Sequence, residues 1–250
     1  MTLLLTSPLL ESAGFSHGFS TRQVDLQLGC GGYEDNLARF AAAARFDPRA
    51  LRQTRQVHGA RVIDAAGYAP GALEEADALV CGGASVVGVR VADCVPILVA
   101  ERTTRRVAAI HAGWRGAVAG VIAAGIQALH APPGARVIAA IGPCIGPCCF
   151  EVGNDVADSI ARAAGDDAVV ARTSGEKSFV DLRRATRLML VRAGVSNVAI
   201  EDVAGCTRCE KDLFFSYRRE GAGGGRHLAA IAAGARSNGN GQFSPVRTLT

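Results

Sequence analysis

The residues best suited to chemistry lie in two short segments, ADC at 92–94 and HAGWRG at 111–116. Cys94 and His111 carry side chains of the kind that hold zinc or copper, and together they could also form a nucleophile and its base. Arg115 follows soon after His111 and offers a planar cation suited to phosphate or carboxylate. The region therefore combines a metal or thiolate centre with an anion-binding group, which binding modules rarely need together.

His58, in the segment RQVHGARVI, is a third candidate ligand. With Cys94 and His111 it would complete a set of three protein ligands with one open position, the pattern of a catalytic zinc. A lone histidine at the edge of a strand-like run is more often structural, and spacing alone leaves both roles open. The three residues are spread over more than fifty positions, so their convergence has to come from the fold.

Asp93 adjoins Cys94 and has two possible functions. It could form a turn, or it could act as a general base or as a hydrogen-bond partner of a ligating histidine. Neighbouring residues of a strand point to opposite faces. Asp93 therefore reaches the cavity of Cys94 only if the chain turns at this point.

Two later segments carry candidate substrate contacts. IGPCIG at 141–146 follows a predicted strand and places Cys144 at the tip of a turn, as a substrate contact or as an inert thiol. The second segment, FFSYRRE at 214–220, contains Ser216, Tyr217 and Arg218. An aromatic ring beside an arginine could hold a base or a sugar, or it could form a cation–π pair on the surface.

The eight cysteines are expected to be reduced, because no secretion signal is recognisable. Cys206 and Cys209 form a CxxC pair that could be half of a structural zinc site. The other half would come from Cys144, Cys148 or Cys149. The alternative for Cys30, Cys81, Cys148 and Cys149, which lie in no motif, is that they are small apolar residues of the core.

Composition limits the class of protein. With 250 residues, 49% of them hydrophobic and 20% charged, the chain can bury a substantial core. The net charge of +4 comes without a dense Lys/Arg run, so no nucleic-acid partner is expected. Charged residues or glycine interrupt every apolar run before the roughly 18 residues of a membrane span. The apolar start lacks a basic region and is read as a strand. We therefore expect a cytoplasmic protein, a monomer or weak homodimer, that binds a small molecule and no membrane.

Short apolar runs bounded by Gly, Pro or charged residues predict strands. They lie at 76–80, 86–92, 97–100, 107–110, 136–142, 197–201 and 227–233. Helices are predicted at 117–130, at 152–165 and from an N-cap at Asp181 to a stop at Gly194. Four consecutive strands without helices between them predict a mixed sheet in an α+β fold. We expect one domain over 1–250, with a mobile tail at about 235–250.

Several motifs taken together resemble the YfiH family, also called the multicopper polyphenol oxidase or laccase-domain family. The resemblance covers nearly the whole chain. In chain order the matching segments are HGFSTR at 17–22, QVHG at 56–59, ADC-PIL at 92–98, HAGWRG at 111–116, IGPCI at 141–145, FEV at 150–152, CT at 206–207, FFSYRR at 214–219 and GR at 225–226.

The resemblance implies a layered α+β fold, related to Cys–His toxin deamidases, and a Zn²⁺ (possibly Cu²⁺) ion held by His58, Cys94 and His111. It also implies a purine nucleoside phosphorylase that acts on adenosine, inosine, guanosine and methylthioadenosine and deaminates adenosine. Phosphate would be the co-substrate. The roles weighed above for the individual residues complete this expectation. The catalytic residues would be Cys94, His111, Asp93 and Arg115, and the substrate-binding residues would be Arg115, Cys144, Ser216 and Arg218.

Three other functions stay open at this point. Bacterial members of the family are also described as peptidoglycan editing factors, which would make the chain an amide hydrolase of UDP-MurNAc-L-Ser. The laccase function fits poorly, because a multicopper oxidase needs more histidines than the five present here. A zinc-stabilised binding protein is the non-enzymatic alternative.

Overall fold

The computed structural model describes residues 2–69, 71–173 and 175–233. Within these residues the chain forms fourteen β-strands and seven α-helices. The strands are β1 (Leu4–Leu5), β2 (His17–Ser20), β3 (Leu51–Arg52), β4 (Val62–Asp64), β5 (Ala78–Cys81), β6 (Val86–Val91), β7 (Val95–Glu101), β8 (Val107–Ala112), β9 (Val137–Ile141), β10 (Glu151–Gly153), β11 (Val169–Arg172), β12 (Lys177–Val180), β13 (Ile200–Asp202) and β14 (His227–Ala232). The helices are α1 (Pro8–Ser12), α2 (Tyr33–Ala44), α3 (Trp114–Val118), α4 (Val121–Ala128), α5 (Asn154–Ala164), α6 (Leu182–Arg192) and α7 (Tyr217–Glu220).

The strands form two large sheets and one small sheet. The six-stranded sheet has the order β13-β9-β7-β8-β5-β4, the five-stranded sheet β1-β2-β14-β6-β3, and the small sheet β10-β12-β11. Both large sheets are mixed, because β4–β5, β9–β13 and β3–β6 pair in parallel while their other pairs are antiparallel. The predicted mixed sheet of an α+β fold is therefore confirmed.

Side chains that alternate along the strands pack in two different apolar layers. On β7, Leu98 packs in the layer between the two large sheets, together with Val87 of β6 and Ile231 of β14. Its neighbours Ile97 and Val99 face the other way, into the layer beneath helices α3 to α6. Helix α2 covers the outer face of the five-stranded sheet. Because the central strands are buried on both faces, they read as continuous apolar runs in the sequence.

Two of the three predicted helices lie close to their predicted bounds. Helix α5 ends before Gly165 as predicted but begins at Asn154, because 152–153 belong to β10. Helix α6 begins behind Asp181 and ends at Arg192, two residues before Gly194. Asp181 caps α6 by accepting the backbone N–H of Arg184 at 2.9 Å. The single helix predicted at 117–130 is instead two helices, α3 and α4, which meet at Gly120. Gly120 has φ +94°, and a left-handed residue cannot continue a right-handed helix.

The first forty-odd residues differ most from the predictions. The strand predicted for the N-terminal segment is limited to β1. Helix α1 follows it and begins at Pro8, with Ser7 as its N-cap. Helix α2, whose buried residues include Leu37 and Phe40, was not predicted, because it starts behind Gly32 without a side-chain cap. In the segment predicted as a strand at 197–201, only the last two residues enter β13.

Two further predictions depend on which residues are described. The tail at about 235–250 lies outside the described residues. Within them, no helix is long and apolar enough to cross a membrane. The apolar layer shared by the two large sheets is compatible with one domain over 1–250, which stays a prediction.

Candidate active site

Three residues from separate segments lie together at one end of the six-stranded sheet. The candidate ligand atoms of His58, Cys94 and His111 are all within 4.8 Å of one another. Cys94 comes directly before β7, and His111 lies in β8, where it pairs with Pro96. The antiparallel pairing therefore brings these two residues side by side. His58 joins them from the loop between β3 and β4, and its ring centroid is 4.8 Å from that of His111. We call these three residues the His/Cys/His cluster.

Asp77, which was not singled out in the sequence, holds this cluster in place. Its fully buried carboxylate accepts a hydrogen bond from His111 Nδ1 at 2.8 Å. It also accepts the backbone N–H groups of Val57, His58 and Gly59, at 3.2, 2.8 and 2.7 Å. His111 Nε2 is therefore the ring nitrogen left for Cys94 or a metal. A carboxylate behind a ligating histidine is the usual arrangement at zinc sites.

The glycines of HAGWRG are required by close packing around the cluster. A Cβ atom on Gly113 would lie 2.6 Å from His58 Cδ2 and 3.1 Å from Cys94 Sγ. A Cβ atom on Gly116 would lie 2.9 Å from the carbonyl oxygen of Gly59. Side chains at these positions would push the His58 loop away. The motif thus lets the turn from β8 into α3 pack directly on that loop.

Burial and charge have opposite effects on Cys94 and His111. Burial raises the pKa of Cys94, but the charge of His111 and hydrogen bonds from both histidines outweigh it and lower the pKa. Burial lowers the pKa of His111, but Cys94 and the Asp77 carboxylate outweigh it and raise the pKa. The thiolate is therefore favoured at neutral pH. A thiolate is the form that both a metal ligand and a nucleophile require.

The geometry of the cluster fits a tetrahedral metal. Ligand bonds of about 2.0 Å to nitrogen and 2.3 Å to sulfur place a nitrogen and a sulfur about 3.5 Å apart in a tetrahedral site. His58 Nε2 and Cys94 Sγ are 3.7 Å apart. Two imidazoles and one thiolate suit zinc or copper. With three protein ligands, a fourth position would remain open toward the neighbouring cavity.

The cluster lies at the base of a cavity with a volume of about 580 Å³. This volume is in the range of small-molecule sites. The cavity wall carries five arginines: Arg55, Arg90, Arg115, Arg218 and Arg226. Among the described residues that line it, Asp93 is the only carboxylate. The cavity is thus cationic and suited to an anionic or phosphate-containing ligand.

Arg115 is the wall arginine with the fewest protein partners. Arg55 pairs with Glu75 at 2.8 Å, and the Arg90 side chain donates to the carbonyl oxygen of Thr54 at 3.1 Å. Arg115 is exposed and lies over the ring of Trp114 at 4.5 Å. Within the described part of the chain it has no carboxylate partner. Its guanidinium is therefore available to a ligand anion.

Asp93 lies at the turn that its candidate function requires. Its φ of +83° bends the chain, so that it lines the same cavity as Cys94. Its carboxylate accepts from Thr207 Oγ1 at 2.6 Å, from Ser216 Oγ at 3.1 Å and from the backbone N–H of Arg218 at 2.6 Å. These bonds favour a positioning function for Asp93, which fixes the segment that carries Arg218.

The predicted substrate residues reach the cavity unequally. Arg218 lines it, while its Nη1 donates to the carbonyl oxygen of Glu151 at 3.1 Å. Ser216 is fully buried and caps α7 by accepting the backbone N–H of Arg219. Cys144 is fully buried and outside the cavity lining, with its sulfur 3.8 Å from Arg183 Nη2. Burial raises the pKa of Cys144 to about 12, so its thiol is neutral. Direct substrate contact by Ser216 or Cys144 has no support in this geometry.

Sequence reasoning missed Asp77, Arg55 and Arg90, although two of them left a signal. Arg90 interrupts the apolar run of β6, and a charged residue inside a buried strand indicates a cavity or a partner. Asp77 is a carboxylate inside the apolar run 76–80 that predicts a strand, and in the structure it is buried. Arg55 left no local signal, because only the fold brings it to the cavity wall.

Comparisons with known proteins agree with the fold and the motifs. The family described as multi-copper polyphenol oxidoreductase laccase matches residues 31–234. The adenosine deaminase RL5 of an unknown prokaryotic organism is 43% identical over 166 residues, which cover 64% of this chain and 63% of that protein. This chain thus spans less than two thirds of that relative. The purine nucleoside phosphorylase YfiH of Escherichia coli is 35% identical over 191 residues, which cover 75% of each chain.

Two solved structures superpose on most of this chain. YlmD from Geobacillus stearothermophilus superposes with a TM-score of 0.81 at 29% identity, over 91% of this chain and 94% of that chain. The hypothetical protein YfiH of Bacillus licheniformis superposes with a TM-score of 0.82 at 25% identity, over 93% and 97%. These matches confirm the resemblance carried by the motifs. The chain therefore belongs to the family described as multi-copper polyphenol oxidoreductase laccase.

Proposed function

We propose that this protein is a metal-dependent enzyme acting on purine nucleosides, which cleaves their glycosidic bond with phosphate and deaminates adenosine. The observation that carries the proposal is the His/Cys/His cluster at the base of an arginine-lined cavity. Relatives named adenosine deaminase and purine nucleoside phosphorylase support the substrate class. The cationic wall supports phosphate as the co-substrate.

Zinc fits the cluster better than a multicopper centre does. A multicopper centre needs more histidines at one place, but the three histidines outside the His/Cys/His cluster lie elsewhere in the structure. His17 and His227 are buried, and each accepts a backbone N–H at 2.8 Å, from Ser7 and Phe215 respectively. His130 is exposed and outside the cavity lining. A bound zinc ion would supply Lewis acidity and would activate water at the open position.

For phosphorolysis, a phosphate oxygen forms a bond to C1′ of the ribose while the bond from C1′ to the purine nitrogen breaks. The purine leaves with the electron pair and takes up a proton, which balances the proton that the phosphate loses. Arg115 would hold the phosphate in line with C1′, and the other wall arginines would stabilise its charge. Tyr217, which lies at the cavity with Arg226 5.6 Å from its ring, offers an aromatic face for the purine.

For deamination, water adds to the purine carbon that carries the amino group, and ammonia leaves. This reaction takes place at C6, whereas phosphorolysis takes place at C1′. The nucleoside would therefore present C6 to the His/Cys/His cluster for one reaction and C1′ to the phosphate for the other. The ratio of the two products reports the relative rates of the two reactions in this cavity.

The test uses the full chain with adenosine. After removal of metal by a chelator, both the phosphorolysis products, adenine and ribose 1-phosphate, and the deamination product, inosine, should disappear. Reloading with zinc should restore both, and copper serves as the comparison. Omitting phosphate should abolish adenine formation and leave inosine formation in place.

Two outcomes would replace the proposal. Cleavage of UDP-MurNAc-L-Ser without turnover of adenosine would establish the amide hydrolase instead. Full adenosine turnover in metal-free protein, lost when iodoacetamide alkylates Cys94, would make Cys94 a nucleophile rather than a ligand. Protection of Cys94 from iodoacetamide by zinc is the result expected of a ligand.

A further inference from the structure

A second group of potential ligands lies outside the candidate active site. The sulfur atoms of Cys148, Cys149, Cys206 and Cys209 are all within 4.8 Å of one another, and none of the four residues lines the cavity. We propose that these residues, called here the four-cysteine cluster, bind a second zinc ion in a closed tetrahedral site of the structural type. The proposal is independent of the proposed enzyme activity.

The distances between the sulfurs match a zinc tetrahedron. Four sulfurs at about 2.3 Å from zinc lie about 3.8 Å from one another. Cys148 Sγ is 3.7 Å from Cys206 Sγ and 3.6 Å from Cys209 Sγ. Cys149 Sγ and Cys209 Sγ, at 3.2 Å, would have to separate slightly. All of these distances are well beyond a disulfide bond of about 2.05 Å, and all eight cysteines are free.

The backbone holds the two halves of the cluster together without help from the sulfurs. Cys144 and Cys206 form a parallel β-bridge, and the backbone N–H of Thr207 donates to the carbonyl oxygen of Cys144 at 3.0 Å. Cys149 N–H donates to the carbonyl oxygen of Gly146 at 2.9 Å, which closes the turn that carries Cys148. The ligands are thus preorganised, which lowers the cost of ordering them around an ion.

The surroundings of the sulfurs suit a negatively charged centre. Four thiolates around Zn²⁺ carry a net charge of −2. The backbone N–H of Gly146 donates to Cys206 Sγ at 3.3 Å, and the positive charge of Arg208 lies near Cys149. An N–H donor and a nearby cation stabilise ligating thiolates. A Cβ atom on Gly146 would lie 3.3 Å from the sulfurs of Cys148 and Cys206, so glycine leaves room for the ligands.

The cysteines of this cluster are more exposed to solvent than ordinary core cysteines. Cys148 and Cys209 are exposed, whereas Cys149 is buried and Cys206 is half-buried. Two exposed thiols contribute little to a core, but they leave a route by which an ion can reach the site. The Glu210 carboxylate accepts the backbone N–H of Cys206 at 2.6 Å and thereby orders the CxxC turn.

A metal here would stabilise the wall of the candidate active site. Thr207, between the two cysteines of the CxxC pair, donates to the Asp93 carboxylate at 2.6 Å. Arg219 Nη1 donates to the carbonyl oxygens of Thr207 and Arg208, at 2.8 and 2.7 Å. Fixing the turn therefore fixes Asp93 and, through it, the segment of Arg218. The site acts on structure and takes no part in the chemistry.

Counting zinc per chain tests the proposal. We expect two zinc ions in the wild-type protein, one in Cys206→Ser/Cys209→Ser and one in His58→Ala. Cys30→Ser is the matched control, since Cys30 lies outside both clusters, and it should keep two. Cobalt substitution gives a second signal. Charge transfer from thiolate to cobalt should drop sharply in the double variant, leaving the contribution of Cys94, and should stay nearly unchanged in His58→Ala.

Three outcomes would overturn the proposal: one zinc in the wild type with no change in the double variant, a disulfide within the cluster in protein purified under reducing conditions, or rapid alkylation of Cys148 and Cys209 in zinc-loaded protein. The alkylation experiment needs no variant and decides the matter if the double variant fails to fold. Zinc should protect both thiols from iodoacetamide, and a chelator should expose them. Loss of adenosine turnover alone has no bearing on these results.

Discussion

The two cysteine-containing clusters differ in their ligands and in their access to the cavity. The His/Cys/His cluster has one sulfur and two imidazoles at the base of a cavity, and Asp77 orients His111 from behind. The four-cysteine cluster has four sulfurs, lies outside the cavity lining and is supported by Gly146 and Arg208. Three ligands leave a position for substrate or water, whereas four close the site. Ligand number would therefore distinguish a centre that performs chemistry from one that stabilises the fold.

The two clusters are nevertheless connected. Asp93, next to Cys94, accepts a hydrogen bond from Thr207 of the CxxC turn. A change in one cluster can therefore reach the other through a single carboxylate. Variants that affect only one cluster show how far the division between chemistry and stability holds.

The largest effect is expected from His58→Ala, which removes a ligand of the His/Cys/His cluster. Changing a group behind a metal ligand typically costs 10–100-fold, so losing the ligand itself should lower kcat/KM for adenosine by more than about 100-fold. The fold should persist in circular dichroism and in thermal melting. His130→Ala, at an exposed residue outside the cavity lining, is the control. An unfolded His58→Ala protein would instead support a zinc-stabilised binding protein.

Asp77→Asn should have the next largest effect. The asparagine amide cannot accept both the His111 Nδ1–H and the three backbone N–H groups, so the imidazole loses its orientation. We expect zinc affinity at the His/Cys/His cluster to fall by about 10–100-fold, measured by competition with a chelator. The zinc of the four-cysteine cluster should be unaffected. Asp167→Asn, at an exposed carboxylate, should change neither affinity. Equal weakening of both sites would show that the clusters are not separate.

Arg115→Ala should separate substrate binding from metal binding. A hydrogen bond to a charged group contributes about 1.5–3 kcal/mol, so KM for phosphate should rise by about tenfold or more. Zinc content should stay unchanged, because Arg115 packs on the ring of Trp114 and is not a ligand in either cluster. Arg162→Ala, an exposed arginine of α5, is matched in charge. An unchanged phosphate dependence would assign the anion to another wall arginine.

The smallest effect concerns acid stability near the wall of the cavity. Burial lowers the pKa of His227 to about 4, and its Nε2 accepts the backbone N–H of Phe215 at 2.8 Å. The unfolded pKa is about 6.5. The stabilising contribution of neutral His227 is therefore complete above pH 6.5 and is lost as the pH falls toward 4. In urea unfolding, the stability difference between wild type and His227→Gln should shrink from pH 7.5 to pH 5. A constant difference would show that folding does not lower the pKa of His227.

Much of the fold followed from local patterns. The runs that became β5 to β9 are apolar and bounded by Gly, Pro or charge, and α5 and α6 end where glycines or caps stop them. Helix α2 was not predicted, because its N-cap is Gly32, which provides no side-chain cap. The break at Gly120 was not predicted, because the helical spacing of apolar residues continues through it. The left-handed backbone at Gly120 depends on how α3 and α4 pack.

By itself, the sequence determined the types of ligand: His58, Cys94 and His111, the small residues between them, and a CxxC pair. Only the tertiary structure decided which of these groups meet. The register of β7 on β8 joins Cys94 to His111, and buried Asp77 brings His58 to them. A β-bridge between Cys144 and Cys206 joins the two segments that carry Cys149 and Cys209, whose sulfurs are 3.2 Å apart. The physical reason is that residue type sets which bonds an atom can make, whereas strand pairing and packing set which atoms come within reach.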